Sequence, residues 1–525
     1  MFESIALPAL LLLPLLGFIG VPMVRPERVT RAYTMTVMLA TLAAAISLFQ
    51  AFKGTPAGAF DLSLPWIPFL GVNLHFAVDG YNVYLLLLTA LLFPIVLAVA
   101  WNTNEGKSRL YLGLMLSLEA CLLGTFLAQN LVVLFVLWEA VLIPMVLMIL
   151  VFGGPGRRRA AMSFFLYTMA GSVLFLAAVL LLGVESLQQT GRWSFEFDTL
   201  YRLQMSPAKQ AFVFFAIALA CAVKSPIFPF HSWLPLAYGE ASTSGTALMA
   251  GAMSKMGAFG FIKLLVPLTP AVAIQFAPLM AGFAVVSILY GAVLALRQTN
   301  FKLLIAYASL SHMGYIVLGL FSFQPTGIHG AMFQILSHGL SVAGLFLLLG
   351  MLEQRCGPAW LQLEGLSVRM PRYAVVMMLF VLASLALPLS SGFTAEFMVL
   401  LGAFTQGVAD WRAGAGSGML VAALLAATCV VIGATYMLRF ARALLYGNVE
   451  AGRGTKLADL CPRETIAMVP LLVLILWVGM VPSSLMYKVD PAVNQLARSG
   501  QPVKQAAVQG WGLDVAQVAG ARNGN

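Results

Sequence analysis

The sequence predicts an all-α, polytopic membrane protein with about fourteen transmembrane helices. Of its 525 residues, 61 % are hydrophobic and only 10 % are charged, and the mean hydropathy is +0.92. A soluble domain carries about 25 % charged residues. Because the surface of a soluble protein must face water, a soluble chain of this length could not bury so much apolar surface. The solvent for most of this chain is therefore lipid.

Fourteen apolar runs are long enough to cross a bilayer core about 30 Å thick, which takes about 20 residues of helix. They begin near Ile5, Tyr33, Val78, Leu110, Leu131, Ala160, Gln210, Ser242, Val272, Lys302, Gly327, Tyr373, Gly416 and Thr465. The first run has no Lys or Arg before it and no small-x-small cleavage pattern, so we expect a retained spanning helix and not a signal peptide. No strand-period alternation accompanies the runs.

The connections between the runs differ in charge. Those after odd-numbered runs hold eighteen Lys and Arg residues, and those after even-numbered runs hold five. Because cytoplasmic loops retain cations, this asymmetry predicts a multi-pass protein of the bacterial cytoplasmic membrane with both termini on the outer, periplasmic side. Topology thus explains the net charge of +10, and no nucleic-acid partner is expected.

Redox and metal chemistry on this chain are not expected. The five cysteines form no C-x-x-C pair and are odd in number, which argues against a disulfide framework, an iron–sulfur site and a zinc site. The sequence also has no G-x-G-x-x-G fingerprint and no P-loop. We therefore predict no cofactor and no metal bound by this chain.

Ionisable side chains interrupt the apolar runs in helix after helix. A charge at the bilayer centre costs about 2.5–3.5 kcal/mol on insertion scales, and such residues mark proton relays and ion pathways. Desolvation disfavours the charged form of a buried Glu or Lys, so either can exchange a proton, and His titrates near neutrality without tuning. The candidates for a proton relay are Glu139, Lys224, Lys255, His312, His338 and Glu396.

Structural interpretations compete with the relay. Glu139 and Glu119 could each make only a helix–helix hydrogen bond, and Lys224 could satisfy carbonyl groups freed by Pro226 and the prolines that follow. Lys263 lies near a helix end, where a lysine more often snorkels as an anchor.

The two histidines could be ordinary core residues. However, Gln334, Ser337, His338 and Ser341 share one face of a predicted helix, and this polar stripe favours a hydrated environment. The stripe therefore supports the relay hypothesis for His338.

Proline and glycine positions predict two broken helices. One break is expected near residues 226–235, just after Lys224, and the other near residues 388–392, just before Glu396. Discontinuous helices in corresponding places of two halves are typical of inverted-repeat transporters, whose ion sites lie at the breaks. We divide the chain into N-terminal helices (1–108), a first repeat (109–267), a second repeat (268–447), and a last helix with a polar C-terminal tail (448–525).

Four segments carry a resemblance to a known family. They are KSPIFPFHSWLPLAYGEASTSGTALMAGAMSKMGAFGFIK from Lys224, LWEAVLIPM around Glu139, RQTNFKLLIAYASLSHMGYIVLGL from Arg297, and MFQILSHGLSVAGLFLLLGMLEQR from Met332. They resemble the antiporter-like membrane subunits of respiratory complex I and of Mrp-type cation/proton antiporters. The last two resemble most closely subunit M of NADH–quinone oxidoreductase, the counterpart of NADH dehydrogenase subunit 4.

The resemblance implies fourteen helices with two inverted repeats, and a role for each candidate. Glu139 and Lys224 would form the coupled pair of one half-channel, and Lys255 would be the central connection. The two histidines would be further relay positions, and Glu396 would be the terminal acid of the second half-channel.

The resemblance also implies a proton-translocating subunit of a type-I NADH:quinone oxidoreductase. NADH, FMN, iron–sulfur clusters and quinone would be bound by partner subunits, and sister antiporter-like subunits would pack beside this chain in the bilayer. The alternatives are an Mrp-type Na⁺/H⁺ antiporter subunit, the same module in a membrane-bound hydrogenase-like complex, and a scaffold subunit whose ionisable residues are locked pairs.

The sequence departs from the family pattern at helix ends. Leu236 stands where the family commonly has Asp, and Tyr238 stands where it has His. Asn300 and Leu304 replace two further charged residues. Since all four lie away from the central candidates, they indicate a divergent branch.

Overall fold

The computed structural model describes residues 2–54, 60–357, 364–446 and 457–508. Within these ranges, fourteen helices are long and apolar enough to cross a membrane, which confirms the predicted all-α membrane fold. They are α1 (Ile5–Met23), α2 (Glu27–Ala51), α3 (Val83–Ala100), α4 (Arg109–Leu127), α5 (Leu131–Phe152), α6 (Arg157–Thr190), α7 (Pro207–Lys224), α9 (Thr243–Leu268), α10 (Ala277–Arg297), α11 (Phe301–Phe321), α12 (Pro325–Cys356), α14 (Ser391–Arg412), α15 (Gly418–Leu445) and α16 (Pro462–Met480). Three further helices matter below, namely α8 (Trp233–Glu240), α13 (Pro371–Ser384) and α17 (Ser483–Val508), and a few helices of four to six residues lie in the connections.

Two of the crossings are broken helices, close to the predicted positions. The first joins α7 to α8 through residues 225–232, and the second joins α13 to α14 through residues 385–390. The predicted twelfth run, which begins near Tyr373, is therefore the composite of α13 and α14.

The order of helices repeats. Residues 109–268 hold five crossings, residues 277–445 hold five more, and the fourth crossing of each set is the broken one. Because five is odd, the second set starts from the opposite side of the membrane, so the two sets form inverted repeats. The division of the chain at residues 267/268 falls just before the end of α9, and the four segment boundaries stay predictions.

The connections alternate between two sides of the bundle. A two-stranded sheet lies on one side, between α2 and α3, and we call this the hairpin side. The connections on the opposite side are those that carry the excess of Lys and Arg, and we call this the basic side. Both ends of the described chain lie on the hairpin side.

The sheet is an addition to the predicted fold. Strands β1 (Asp61–Ile67) and β2 (Val72–Ala77) pair antiparallel. The hairpin lies against the connection that follows α4, where the Gln129 N–H donates to the His75 carbonyl at 2.8 Å. Sequence reasoning missed the strands because β1 is short, mostly exposed and interrupted by Pro65, which leaves little alternation to detect.

Two helices form the centre of the bundle. Every residue is buried in the most apolar 18-residue windows of α9 and α12, whereas the corresponding window of α15 is 28 % buried. Lys255 on α9 and His338 on α12 therefore lie in the interior of the protein, far from lipid.

The polar segment that the sequence predicts after Met486 is helical up to Val508. Apolar residues at helical spacing bury one face of α17, namely Leu485, Val489, Val493 and Leu496. Residues 509–525, where the rest of the predicted tail falls, lie outside the described residues.

Helix α17 is fixed to the hairpin side by polar contacts, two of which involve the ionisable side chains Lys488 and Asp490. The buried Lys488 ammonium donates to the carbonyl oxygens of Phe49 (2.7 Å) and Phe52 (2.6 Å) at the end of α2. The His329 Nε2 lies 2.8 Å from Asp490 Oδ1. A cation is favourable at a helix C-terminus, where carbonyl groups lack amide partners.

Candidate functional site

Lys255 and His338 meet at the centre of the bundle. The Lys255 side chain is fully buried, and its Nζ lies 2.7 Å from His338 Nδ1. A π-helical turn over Met249–Met253 directs the Ser254 N–H to the Met249 carbonyl, which deprives the Ala250 carbonyl of its usual amide partner. Lys255 Nζ donates to that carbonyl at 2.6 Å, and the Ser254 hydroxyl donates to it at 2.8 Å.

The cluster continues from His338 to Glu396. The rings of His338 and His312 are 5.4 Å apart between centroids, and His312 Nδ1 lies 3.0 Å from Glu396 Oε1. The Gln334 amide nitrogen lies 3.2 Å from the same His312 nitrogen and donates to Glu396 at 3.4 Å. His338 Nε2 is buried without a hydrogen-bond partner among the described residues. The structure thus brings four predicted residues into one contiguous polar cluster.

Glu139 on α5 and Lys224 at the end of α7 both lie beside Trp138. Lys224 is the last residue of α7, and its Nζ donates to the Trp138 carbonyl at 3.4 Å and lies 5.4 Å from the centre of the Trp138 ring. Glu139 follows Trp138, and its Oε1 is buried without a hydrogen bond to any described residue. No ion pair joins these two described residues. They are neighbours whose charges interact through space.

A pair of serines connects the two groups. Ser225, which follows Lys224, donates to the Ser254 carbonyl at 3.3 Å. The Lys255 ammonium in turn donates to the Ser254 hydroxyl at 3.2 Å. Because both serines are buried, the first break and the Lys255 cluster form one continuous polar region.

Lys263 is not the snorkelling anchor that its position suggested. It is buried on a second π-helical turn of α9, where it pairs with Asp79 and donates to Gln129 Oε1 at 2.9 Å. The rings of Tyr81 and Phe197 each lie 5.3 Å from its Nζ. Sequence reasoning missed Asp79 because the two partners are 184 residues apart, and no spacing rule joins them.

Glu119 stands apart from the relay candidates. Its side chain on α4 is fully buried, and neither carboxyl oxygen has a hydrogen-bond partner among the described residues. The helix–helix hydrogen bond considered for Glu119 is therefore absent from the described contacts.

Two of the four departures from the family pattern, Asn300 and Tyr238, have local explanations. Asn300 is the N-cap of α11, and its side-chain oxygen accepts the N–H groups of Lys302 (2.9 Å) and Leu303 (3.4 Å). Tyr238 is fully buried and packs edge-on against Phe346, with 5.7 Å between ring centroids.

Across the described ranges, no three His, Cys, Asp or Glu side chains lie close enough together to hold a metal ion.

Comparison with known proteins agrees with this arrangement. Residues 128–416 match the family described as NADH:quinone oxidoreductase/Mrp antiporter, TM. This match covers more than half of the chain and includes every relay candidate. The chain belongs to this family.

Relatives in the family match over nearly their whole length. An NAD(P)H-quinone oxidoreductase chain 4 from Synechococcus elongatus is 37 % identical over 96 % of this chain and 94 % of its own length. NADH-quinone oxidoreductase subunit M from Rickettsia conorii is 34 % identical over 94 % of this chain and 97 % of its own.

Solved structures share the fold. A chain of respiratory complex I from Thermus thermophilus superposes with a TM-score of 0.83 at 31 % identity, covering 94 % of this chain and 99 % of that one. A chain of the Mrp complex from a Dietzia species has a TM-score of 0.80 at 21 % identity, over 97 % of this chain and 100 % of that one. The latter likeness concerns the fold alone.

Proposed function

We propose that this chain is a proton-translocating membrane subunit of an NADH:quinone oxidoreductase of the complex I type. The observation that carries the proposal is the series of buried and half-buried polar side chains from Glu139 through Lys224, Lys255 and His312 to Glu396. The names of the relatives from Synechococcus and Rickettsia support the type of complex. The chain would perform no redox chemistry; NADH, FMN, iron–sulfur clusters and quinone would belong to partner subunits.

The central step would be proton transfer between Lys255 and His338. Their nitrogens are 2.7 Å apart, which is hydrogen-bond distance for an ammonium donating to a neutral imidazole. Two cations at this separation would repel strongly in a buried site, so the pair would carry one excess proton at a time. Moving that proton onto His338 would bring it beside His312 and then Glu396.

Glu139 would control the charge of Lys224. An opposite charge close to a buried ammonium favours the protonated form, and its withdrawal favours release of the proton. Because Glu139 and Lys224 are adjacent without forming an ion pair, a small shift at the first break could strengthen or weaken their interaction. Quinone reduction elsewhere in the complex would supply the free energy for that shift.

Sister antiporter-like subunits would be the neighbours of this chain in the membrane. The excess of Lys and Arg on the basic side supports a cytoplasmic location for that side, in the inner membrane of a bacterium. Both termini would then lie on the periplasmic side.

The decisive test compares Lys255→Met with Lys53→Met in inside-out membrane vesicles. Lys255 is fully buried in the cluster, whereas Lys53 is exposed and outside it. With normal assembly of the complex, we expect Lys255→Met to abolish or strongly reduce proton uptake per NADH oxidised, and Lys53→Met to leave it unchanged.

Normal proton uptake by an assembled Lys255→Met variant would contradict the relay and support a scaffold role. Proteins that co-purify with the chain test the type of complex. Recovery of NADH-oxidising subunits is expected; recovery of Mrp proteins or of hydrogenase subunits instead would contradict the proposal.

A further inference from the structure

The Lys224 ammonium lies against the indole ring of Trp138 and forms no ion pair with the neighbouring carboxyl group. Its Nζ lies over the ring, 5.4 Å from the ring centroid, and donates to the Trp138 carbonyl at 3.4 Å. Lys224 is 2 % exposed and Trp138 is 1 % exposed, so the contact is shielded from bulk water. The quadrupole of a tryptophan ring attracts a cation within about 6 Å of its face, most strongly where the cation is desolvated.

The Trp138 ring is packed between α6 and α9. The Phe175 ring on α6 meets it edge-on, with 5.8 Å between the ring centroids. On α9, a Cβ added to Gly260 would lie 2.5 Å from the Cys221 sulfur and 3.4 Å from the Trp138 ring. Because only a glycine allows this close approach of α9, the indole ring is fixed beside the Lys224 ammonium.

The carboxyl group of Glu139 is the other candidate partner of the Lys224 ammonium. It is half-buried, and its Oε1 has no hydrogen bond to any described residue. Helix α5 is distorted just beyond it: two helical segments meet at Val141, and Pro144 has no N–H group for the carbonyl four residues before it. The ammonium therefore has two candidate partners on one distorted helix, the Trp138 ring that it contacts and the Glu139 carboxyl group with which it forms no ion pair.

We propose that Trp138 is a positioning residue for Lys224, and that its ring face holds the ammonium apart from Glu139 in this conformation. The lysine moves between the ring face and the Glu139 carboxylate, and the break that begins at the next residue gives its end of α7 the freedom to do so. Without the ring, the loss of a desolvated cation–π contact shifts this equilibrium toward the carboxylate by on the order of 30-fold. The inference rests on the proposed proton translocation, and it adds what stabilises the ammonium when the carboxylate does not.

Fluorination of the indole ring tests this role with almost no change in ring size. Each fluorine withdraws electron density from the ring face and so weakens its attraction for a cation. Trp138 is replaced, at its single codon, by tryptophans with increasing numbers of ring fluorines, and Trp233 is replaced in the same way as the matched control. Trp233 is also fully buried and donates to the Val223 carbonyl at 3.0 Å, and no cation of the described residues lies over its ring.

The rate of proton uptake by the assembled complex is measured in inside-out vesicles. We expect this rate to fall with each fluorine added to Trp138, by on the order of 30-fold over the series, and to stay constant for the Trp233 series. A role of Trp138 in packing alone would not produce this gradation, because the size of the ring is kept. A flat or rising series at Trp138, or an equal fall at Trp233, would overturn the positioning role.

Two ordinary substitutions give an independent test. Trp138→Phe keeps an aromatic face and should retain more proton uptake than Trp138→Met, which fills much of the same space without a ring. Equal losses in the two assembled variants would also overturn the positioning role.

The Lys255→Met variant separates this inference from the proposed function. If Lys255→Met is inactive while the fluorinated Trp138 series is flat, only the positioning role fails. If an assembled Lys255→Met variant pumps normally, the proposed function fails whatever the Trp138 series shows.

Discussion

Replacing Asp79 by Asn should destabilise the protein more than replacing Lys263 by Met, although the two residues form one ion pair. Both side chains are buried, and removing one partner of a buried pair costs about 3–5 kcal/mol because an uncompensated charge remains. In Asp79→Asn that charge is the Lys263 ammonium, which keeps only the Gln129 oxygen and two aromatic rings. These remaining contacts place the expected cost at the low end, about 3 kcal/mol.

The opposite variant leaves a better-solvated charge. Without Lys263, the Asp79 carboxylate still accepts the backbone N–H groups of Tyr81 (2.8 Å) and Asn82 (3.0 Å) and the Gln129 amide (3.2 Å). A carboxylate with several N–H donors is largely compensated, so we expect Lys263→Met to cost about 1–2 kcal/mol. Asn at position 79 also retains a capping oxygen, which limits other effects of the first variant.

A double-mutant cycle on the purified complex in detergent measures both costs. Thermal or denaturant-induced loss of the folded chain is followed for the two single variants and for the variant that carries both changes. We expect the double variant to be more stable than Asp79→Asn alone, since no buried charge remains. Additive costs, or an Asp79→Asn cost below that of Lys263→Met, would refute the reasoning.

Three further predictions concern groups outside the relay. Glu196 accepts a 2.6 Å hydrogen bond from His75 and raises the pKa of that histidine. The stabilisation of the fold by protonated His75 is therefore complete below about pH 6.5 and is lost as pH rises through the raised pKa. The thermal stability of His75→Gln should consequently depend less on pH than that of the wild type. Lys488→Met removes the donor to the end of α2 and should cost about 1–2 kcal/mol in the same unfolding assay, with no loss indicating that the cap is dispensable. Glu119→Leu removes a buried carboxyl group that has no hydrogen-bond partner among the described residues, and it should raise stability by about 1 kcal/mol. A large loss of stability would show that the carboxyl group has a partner.

The sequence alone predicted the spanning helices well because their signal is local. Apolar length is sufficient to find each crossing, and the prolines at 226 and 388 mark the two breaks. Charged residues in apolar runs are equally visible, which is why the relay candidates could be named in advance. Their roles as proton carriers stay predictions.

Pairing between distant helices could not be predicted from spacing. His312 and Glu396 belong to α11 and α14, and nothing in the residues between them indicates a 3.0 Å contact. The Asp79–Lys263 pair and the contact of Lys488 with α2 were missed for the same reason. The short hairpin was missed because strands depend on partners that a local pattern does not contain.

The π-helical turn over Met249–Met253 sets the rotational phase of everything after it in α9. It holds one residue more than a regular turn, and each residue of an α-helix corresponds to a rotation of about 100°. Deleting a single residue there would restore a regular helix and swing Lys255 away from α12, although no side chain of the cluster would have been changed. Helical phase, and not side-chain identity alone, therefore decides whether that lysine faces its histidine.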